Sequence, residues 1–204
     1  MHIKAPLPLT HLQGKPTLPL IEAYFEFNHL KQLYRQGWLR RGIPPEQCES
    51  VAEHTFGVAM LAMFLADAHF PDLDLIKVLR LALLHDLGEI YSGDLTPADG
   101  VSPAEKKRRE AEAVVEVLAK LPDGESYLEL WREYEQQQSA EARLVKQIDR
   151  LEMILQASVY EHQEWADLGE FFVSVEPVLS EPPFRTLWEA LMTLRQDNQR
   201  EAQA

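Results

Sequence analysis

The sequence predicts an all-α fold, a compact bundle of about six to eight helices in which the central helix carries a His-Asp pair. Apolar residues recur at the three- and four-residue spacing of a helix along most of the chain, and the alternating pattern of a strand is nearly absent. Capping residues and prolines separate the apolar stretches at intervals typical of helices. With 204 residues, 46% hydrophobic and 26% charged, the chain is long enough to bury one core.

The first two helices are predicted from apolar spacing and from a capping box. Residues 20–36 carry an apolar face and precede Gly37, which is expected to end the first helix before a proline-containing loop. Ser50 and Glu53 stand three apart, the spacing at which each side chain caps the backbone amide of the other. A second helix is therefore predicted over residues 50–70.

The third helix is predicted to be the central one. Asp72 or Asp74 can cap its start, residues 78–90 are apolar nearly all round, and Gly93 ends it. A Ser-Pro pair followed by a glutamate then predicts the start of a fourth helix over residues 102–120.

The second half of the chain continues as helices. Apolar spacing predicts a short helix through residues 127–134, a long one over 139–165 and a last one over 184–199. Four prolines precede the first helix, so the N-terminal segment is expected to be mobile. The predicted organisation is a mobile arm at residues 1–19, a main domain at 20–176, and a C-terminal helix and tail at 177–204 packed on the same domain.

The charge balance disfavours several kinds of partner. The chain has 20 Lys and Arg against 33 Asp and Glu, a net charge of −13, so its surface repels nucleic-acid polymers and anionic membranes. The longest apolar runs are expected to fall short of the roughly 20 residues of a membrane-spanning helix. Cys48 is the only cysteine, which excludes an internal disulfide and a thiolate-rich zinc site. The N-terminus has no apolar leader, so a cytoplasmic protein is expected.

Three ionisable residues, His85, Asp86 and Glu89, interrupt the most apolar part of the chain. Burying an unpaired carboxylate is costly, so these groups need partners. Their three- and four-residue spacing lets them converge on one helix surface. Either a metal ion or a satisfied hydrogen-bond network in the core explains them.

Two residues on other helices extend this cluster. His54 continues the apolar stripe of the second helix, and alone it is typical of a core or capping histidine. Asp149 lies at the edge of the long helix's stripe, and alone it is typical of a salt bridge to a neighbouring lysine or arginine. Together with His85 and Asp86 they form a set of nitrogen and oxygen donors on three helices, which favours a divalent metal inside the bundle.

The order His54, His85-Asp86, Asp149 resembles the signature of the HD-domain superfamily of metal-dependent phosphohydrolases. Several short motifs between residues 20 and 161 are similar to those of the 5'-deoxynucleotidase branch of this superfamily. These motifs are GWLRRG at 37–42, ESVAEH at 49–54, HDLGE at 85–89, GDLTP at 93–97 and KQID at 146–149. The resemblance implies an HD-domain bundle that hydrolyses deoxynucleoside 5'-monophosphates to deoxynucleoside and phosphate, and it implies a homodimer.

The resemblance also implies metal-binding and catalytic roles. The residues implied to hold the main divalent cation are His54, His85, Asp86 and Asp149. Glu89 and Asp94 serve either a second metal, together with the Leu95 carbonyl, or the positioning of substrate and water. The general base is implied to be one of Asp86, Glu89 and Asp94. Two imidazoles with carboxylates suit manganese, cobalt, iron, nickel or zinc, and a second site of oxygen ligands also admits magnesium.

The substrate-contacting residues implied by the resemblance are Trp38, Arg40, Arg41, His54 and Asp94. Trp38 matches a tryptophan near the sugar, where it would crowd a 2'-hydroxyl. Gly37 departs from the bacterial pattern, which has a phosphate-orienting arginine at that position. Arg40 or Arg41 then takes over this role, or the metal holds the phosphate.

Two alternative functions stay open, and two conspicuous sequence features are expected to have mainly structural roles. The alternatives are an HD-type hydrolase of another nucleotide (a deoxynucleoside triphosphate, an alarmone or a cyclic nucleotide) and a non-catalytic helical scaffold. The basic run at residues 106–109 is expected to be an exposed helix face paired with glutamates, and the alternative is a role in steering or clamping phosphate near the Asp94 loop. Trp131, Tyr134 and Trp188 are expected to pack between helices.

Overall fold

The computed structural model describes residues 2–201 of the chain. Within that range it contains no strand and only two isolated β-bridges, so the all-α prediction is confirmed. The helices are α1 Pro19–Phe27, α2 Gln36–Arg40, α3 Val51–His69, α4 Leu75–Leu84, α5 Glu89–Ser92, α6 Pro103–Leu118, α7 Gly124–Gln136, α8 Ala140–His162, α9 Gly169–Val175 and α10 Pro182–Glu201. Short 3-10 helices lie at Pro8–Leu12, Asn28–Lys31 and Pro97–Asp99.

Local capping signals start four of these helices where the sequence predicts. The Ser50 backbone amide donates to the Glu53 carboxylate at 2.6 Å, and the Glu53 amide donates to the Ser50 hydroxyl, which completes the capping box of α3. Of the two candidate aspartates, Asp74 caps α4. Ser102 and Ser139 accept backbone amides at the starts of α6 and α8. These signals act within a few residues, so they can be identified from the sequence.

The predicted first helix over residues 20–36 is wrong in its second half. α1 ends at Phe27, and the backbone before α2 forms isolated bridges with the N-terminal segment and with the residue preceding α3. Gly37 lies inside α2 and does not end a helix. This break places the Arg35 side chain, only 14% exposed, in the interior.

The His-Asp pair lies in a turn, so the prediction of a continuous central helix carrying it is wrong. α4 ends at Leu84, His85 caps its C-terminus, and turns follow until α5 begins. Gly88 lets α6 approach this turn closely, because a Cβ there would lie 2.6 Å from the Glu110 Cβ on α6. The helix with the widest set of neighbours is α8, which packs against α3, α4, α7, α9 and α10.

Two hydrophobic clusters hold the helices together. The larger unites α3, α4, α8, α9 and α10 around fully buried side chains such as Ile148 and Phe184. The smaller joins α1, α5, α6 and α7 around Ile90 and Val114. The short helix α9, which the sequence analysis did not predict, buries Phe172 in the larger cluster. Since α10 contributes to the same cluster, the C-terminal helix packs on the body of the protein; the division at residue 176 stays a prediction.

The N-terminal segment contacts the helical body at several points. The Lys4 backbone amide donates to the Gln32 carbonyl at 2.7 Å, and the His2 amide donates to Gln36 Oε1 at 3.1 Å. The Lys4 ammonium also lies 3.1 Å from the Glu53 carboxylate. The mobility expected of residues 1–19 stays a prediction, and Met1 lies outside the described residues.

The expectation that no apolar stretch is long enough to span a membrane is wrong for α3. By length and composition its 19 residues would suffice. One face of α3 packs on α4 and α8 and includes the fully buried Val58 and Ala62. The opposite face exposes Phe56 and Phe64, which are 65% and 55% accessible. α3 is therefore a core helix with one uncovered apolar face.

Candidate metal centre

Donor atoms from α3, α8 and the turn after α4 converge inside the bundle. His54 Nε2 lies 3.3 Å from Asp149 Oδ1, 3.4 Å from His85 Nε2 and 3.7 Å from Asp86 Oδ2. His85 Nε2 lies 3.3 Å from the same Asp86 oxygen. The structure therefore brings together the four residues that the sequence analysis drew from distant segments.

Each donor is positioned by its local structure. His54 lies in the first turn of α3, just after the capping box, and is completely buried. His85 caps α4 and is 4% exposed, while Asp149 lies within α8 and is 6% exposed. The Asp86 side chain, 19% exposed, faces the more open side of the cluster. The centre is thus enclosed on the histidine side and accessible on the aspartate side.

Both histidines are held by their Nδ1 atoms, which leaves both Nε2 atoms facing the centre. The Glu152 carboxylate lies 2.5 Å from His54 Nδ1, and the Ala82 carbonyl lies 2.7 Å from His85 Nδ1. Such outer partners fix the tautomer and ring orientation of metal-binding histidines. Gly57 makes room for one of them, because a Cβ there would lie 2.6 Å from Glu152 Oε1. Glu152 is a site residue that was not predicted from the sequence; its position three residues after Asp149 on α8 is the one feature that points to it.

Replacing Glu152 with Met is expected to weaken manganese binding about 10- to 100-fold, the usual cost of losing an outer partner of a histidine ligand. Met fills a similar volume but cannot accept the His54 Nδ1–H. Isothermal titration of metal-free protein measures the effect. Glu152→Gln, which keeps an oxygen acceptor, is the matched control and should recover most of the affinity. Equal affinity in the Met variant and the parent would contradict the orienting role.

The carboxylates of the cluster are kept in their charged form by neighbouring positive groups. For Asp86 and Asp149, burial raises the pKa, but adjacent histidines and basic side chains outweigh it, so each pKa lies below its ordinary value. For His54, burial and Arg35 lower the pKa, but Asp149 and Glu152 outweigh them and raise it to about 10. Ionised carboxylates around two inward-facing imidazoles are the ligand set of a divalent cation, so these residues fit one; its identity stays open.

Glu89 lies beside the cluster and differs from Asp86 and Asp149 in the direction of its pKa shift. Burial raises the pKa of its carboxyl well above the ordinary value, and the negative charges of Asp86 and Asp94 raise it further. Its Oε2 atom is buried and has no hydrogen-bond partner. A carboxyl with these properties is suited to holding and passing a proton.

Asp94 and Leu95, the other residues implied for a second metal, already have protein partners. Asp94 Oδ2 accepts the Gln36 backbone amide at 2.5 Å, and Asp94 Oδ1 lies 3.3 Å from Arg35 Nη1. The Leu95 carbonyl accepts the Lys106 ammonium at 3.0 Å. The structure therefore places these residues beside the main centre, but with protein donors at their oxygens.

Arg35 is the main site residue that the sequence analysis missed. Its Nη1 lies 3.4 Å from Asp86 Oδ2 as well as 3.3 Å from Asp94 Oδ1. The helix predicted over residues 20–36 runs through Arg35 without a break, so the sequence pattern does not single this residue out. Its closeness in sequence to Trp38 was the only signal. The guanidinium bridges the metal centre and the loop after α5.

The other residues implied to contact substrate lie at different depths. Trp38 is 2% exposed, donates its indole N–H to Glu49 at 2.7 Å and packs on Phe171 with ring centroids 4.6 Å apart. Arg40 pairs with Asp99 and Arg41 with Glu170, both at the surface. The structure thus places Arg40 and Arg41 outside the buried cluster, and their contact with phosphate stays a prediction.

The basic run at residues 106–109 is only partly an exposed face. Arg108 and Arg109 form exposed salt bridges with Glu105, as expected. Lys106 forms the expected ion pair with Glu110 at 3.5 Å, but its side chain is only partly exposed, and its ammonium also donates to the Leu95 carbonyl and lies 3.9 Å from Glu89.

The aromatic residues pack between helices as predicted, and Tyr134 also reaches the centre. Trp131, Tyr134 and Trp188 are all buried. The Tyr134 hydroxyl lies 3.5 Å from Asp149 Oδ2. Cys48 is buried too; burial and the neighbouring Glu49 raise the pKa of its thiol to about 12, so it is a thiol and not a nucleophilic thiolate at neutral pH.

Two imidazoles and two carboxylates converge in the core of an all-helical domain. This combination defines the class of helical metal-dependent phosphohydrolases that the resemblance implies. Residues 27–188 match the HD domain family. The chain therefore belongs to the HD-domain family.

Named relatives support this assignment over most of the chain. It is 43% identical over 166 residues to the 5'-deoxynucleotidase HDDC2 of Danio rerio, covering 79% of this chain and 80% of that protein. It is 40% identical over 173 residues to the human 5'-deoxynucleotidase HDDC2, covering 83% of this chain and 82% of that protein. Among solved structures, a conserved hypothetical protein from Pyrococcus furiosus is 34% identical with a TM-score of 0.72, covering 86% of this chain and 99% of that one.

Proposed function

We propose that this protein is a metal-dependent 5'-deoxynucleotidase, which hydrolyses deoxynucleoside 5'-monophosphates to the deoxynucleoside and phosphate. The observation that carries the proposal is the convergence of His54, His85, Asp86 and Asp149 at one buried point. The relatives at about 40% identity that carry the name 5'-deoxynucleotidase support this substrate class. In a scaffold protein without a metal, apolar side chains at these four positions would be at least as stable, so nothing would favour keeping four polar donors buried.

In this mechanism the four converging residues would hold a divalent cation. When bound, the cation lowers the pKa of a water and neutralises phosphoryl oxygens. The water oxygen bonds to phosphorus and the bond from phosphorus to the 5'-oxygen breaks. Glu89, whose raised pKa leaves its carboxyl protonated, is the acidic residue placed to donate a proton to the leaving 5'-oxygen, and the carboxylate left behind takes up the proton of the attacking water. Phosphoryl transfer depends on positioning and charge neutralisation, so no protein nucleophile is needed.

Arg35 is the residue we propose to orient the phosphate. It is the one arginine within hydrogen-bond reach of Asp86 and Asp94 among the described residues, and its guanidinium can bind two phosphate oxygens at once. Burial against these carboxylates keeps its side chain in place before substrate arrives. Arg35, two residues before Gly37, would thus provide the positive charge for the phosphate that a glycine at position 37 cannot provide.

The test is release of free phosphate by metal-free protein supplied with manganese or cobalt, against a panel of nucleotides. We expect release from dAMP and other deoxynucleoside monophosphates, and much slower release from AMP if Trp38 crowds the 2'-hydroxyl. No release from any monophosphate, but turnover of a deoxynucleoside triphosphate, an alarmone or a cyclic nucleotide, would replace the proposal with another HD-type activity. Equal rates for dAMP and AMP would remove the role of Trp38.

We also propose that the protein is a homodimer formed through the outer faces of α3 and α4. These helices pack on each other and on α8, so their faces turned away from α8 lie side by side. Four large apolar side chains are more than half exposed there: Phe56, Phe64, Ile76 and Leu83. Contiguous apolar surface of this kind marks protein interfaces, and a two-fold dimer is the commonest way for a chain to cover it with itself.

Sedimentation of the full chain tests the dimer. We expect the parent at twice the chain mass of 23.4 kDa, and Phe56→Glu with Phe64→Glu at a single chain mass, because charges in the apolar face oppose burial. Val173→Glu on α9, where the parent residue is 75% exposed, is the matched control and should stay dimeric. A monomeric parent at micromolar concentration would reject the proposal.

A cytoplasmic location and the absence of nucleic-acid and membrane partners complete the proposal. They are supported by the single buried cysteine, typical of reducing compartments, and by the net charge of −13. One divalent ion reverses the sign locally, so the acidic surface remains compatible with one small monophosphate.

A further inference from the structure

Residues 2–4, which we call the N-terminal strap, lie against the segment that carries Arg35. The Lys4 backbone amide donates to the Gln32 carbonyl at 2.7 Å, and an isolated antiparallel bridge continues this pairing. The opposite edge of the same segment bonds to residues 49–51, at the start of α3. The backbone from which the Arg35 guanidinium reaches the metal centre is therefore held on both edges.

Gln36 connects the strap to the metal-binding region. Its side chain is buried and exchanges two hydrogen bonds with His2: Oε1 accepts the His2 backbone amide at 3.1 Å, and Nε2 donates to the His2 carbonyl at 2.8 Å. Both bonds use backbone atoms of His2, so they depend on the path of the strap and not on the histidine side chain. The Gln36 backbone amide donates to Asp94 Oδ2 at 2.5 Å. The preceding residue is Arg35, whose guanidinium contacts Asp86 and Asp94.

We propose that Gln36 is a positioning residue for the phosphate site, and that the N-terminal strap belongs to that site because it holds residues 32–36 and with them the Arg35 guanidinium. The inference rests on the proposed function, in which Arg35 orients the phosphate. It adds residues that touch neither the metal nor the substrate and that act through Arg35. A segment outside the helical body is then needed for full activity.

The segment before α2 needs such support because little regular structure fixes it. Between α1 and α2 the chain forms only a short 3-10 helix. A displacement of about 1 Å in a group that orients substrate can lower a rate about 100-fold. Bonds on both edges limit this displacement before substrate binds. A buried amide without partners is costly, so Gln36 favours the arrangement in which the strap is attached.

Lys4 attaches the strap at a second point. Its ammonium lies 3.1 Å from the Glu53 carboxylate in the first turn of α3 and 5.4 Å from the centre of the Tyr34 ring. These contacts are partly exposed, and such ion pairs contribute little individually. The backbone bonds of the strap are therefore expected to account for most of the positioning.

The experiment compares full-chain variants supplied with manganese, by steady-state kinetics with dAMP and by isothermal titration with inorganic phosphate as the probe. Gln36→Leu keeps the approximate volume and the backbone amide but removes both bonds to His2. We expect kcat/KM to fall about 10- to 100-fold, with a raised KM, weaker phosphate binding and parent-like manganese affinity. Gln13→Leu, the same substitution at an exposed residue of the N-terminal region, is the matched control and should match the parent.

Two variants of Lys4 test the strap itself. Lys4→Pro removes the backbone donor to Gln32 together with the ammonium, whereas Lys4→Met removes the ammonium alone. We expect Lys4→Pro to change KM and phosphate affinity in the same direction as Gln36→Leu, and Lys4→Met to lose less. The difference between the two variants measures the effect of the backbone bond.

Coupling to Arg35 is the readout that a purely structural contact would not change. If Gln36 acts through Arg35, adding Gln36→Leu to Arg35→Met lowers kcat/KM no further, whereas independent effects would add. A purely structural role would lower the melting temperature and leave the KM and the phosphate affinity of the folded protein unchanged.

Three results would overturn the inference: parent-like KM and phosphate affinity in folded Gln36→Leu, additive losses in the double variant, or equal losses in Lys4→Pro and Lys4→Met. If Gln36→Leu does not fold, the two Lys4 variants decide the matter. A parent that releases phosphate from no monophosphate would reject the proposed function. The inference still stands in that case if Gln36→Leu weakens phosphate binding only while Arg35 is present.

Discussion

Asp86→Asn is expected to abolish phosphate release and to reduce metal content while the helical fold persists. Asn keeps the volume of the side chain but removes a charge shared by the two imidazoles and Arg35. Losing several kcal/mol of transition-state stabilisation corresponds to a rate decrease of about a thousandfold or more. Phosphate release, elemental analysis and circular dichroism measure the three effects.

The matched control for this substitution is Asp67→Asn. Asp67 is exposed on α3 and far along that helix from His54, so its variant should keep the activity and metal content of the parent. Parent-like metal content in Asp86→Asn would show that Asp86 is not a ligand. A folded, metal-depleted and inactive variant is the outcome that supports the assignment.

Arg35→Met is expected to lower kcat/KM about 10²- to 10³-fold while the metal stays bound. The magnitude is that of losing one pre-positioned donor to the transition state. A role in orienting phosphate predicts a raised KM together with a lowered kcat, whereas a purely structural role would change stability and leave the kinetics of the folded fraction intact. Steady-state kinetics and metal content of the same preparation separate these cases.

Two further arginine variants sharpen this test. Arg35→Lys keeps the charge but cannot bind two phosphate oxygens in one plane, so it should recover only part of the activity. Arg132→Met removes an exposed arginine that pairs with Glu125 and should match the parent. A larger loss in Arg40→Met than in Arg35→Met would restore the original prediction that Arg40 orients the phosphate.

The helices that the sequence predicts well are those whose start and face are encoded locally. α3, α6 and α8 begin at side chains that cap their own backbone, and such contacts span only three residues. Their apolar faces recur every three or four positions, which is visible without knowledge of any neighbour. Local interactions of this kind act identically whatever the rest of the chain does.

The breaks in helices could not be predicted because distant segments cause them. The backbone before α2 pairs with residues near Ile3 and Ser50, which interrupts the helix expected over residues 20–36. The turn at residues 85–88 packs closely against α6, where Gly88 leaves room for Glu110. The helical spacing of apolar residues continues through both breaks, so a prediction from periodicity alone makes these helices too long.

The sequence by itself determined the all-α class, the capped starts of the main helices and the four donors His54, His85, Asp86 and Asp149, because polar residues in apolar stretches stand out wherever they occur. Only the tertiary structure decided how the charges around those donors are arranged. Arg35, Lys106 and Glu152 look like ordinary surface residues of helices, yet each extends its charged group into the region of the centre. The direction of a long charged side chain depends on which carboxylates and carbonyls the packed helices bring within about 3 Å of it, and that information exists only once the helices have packed.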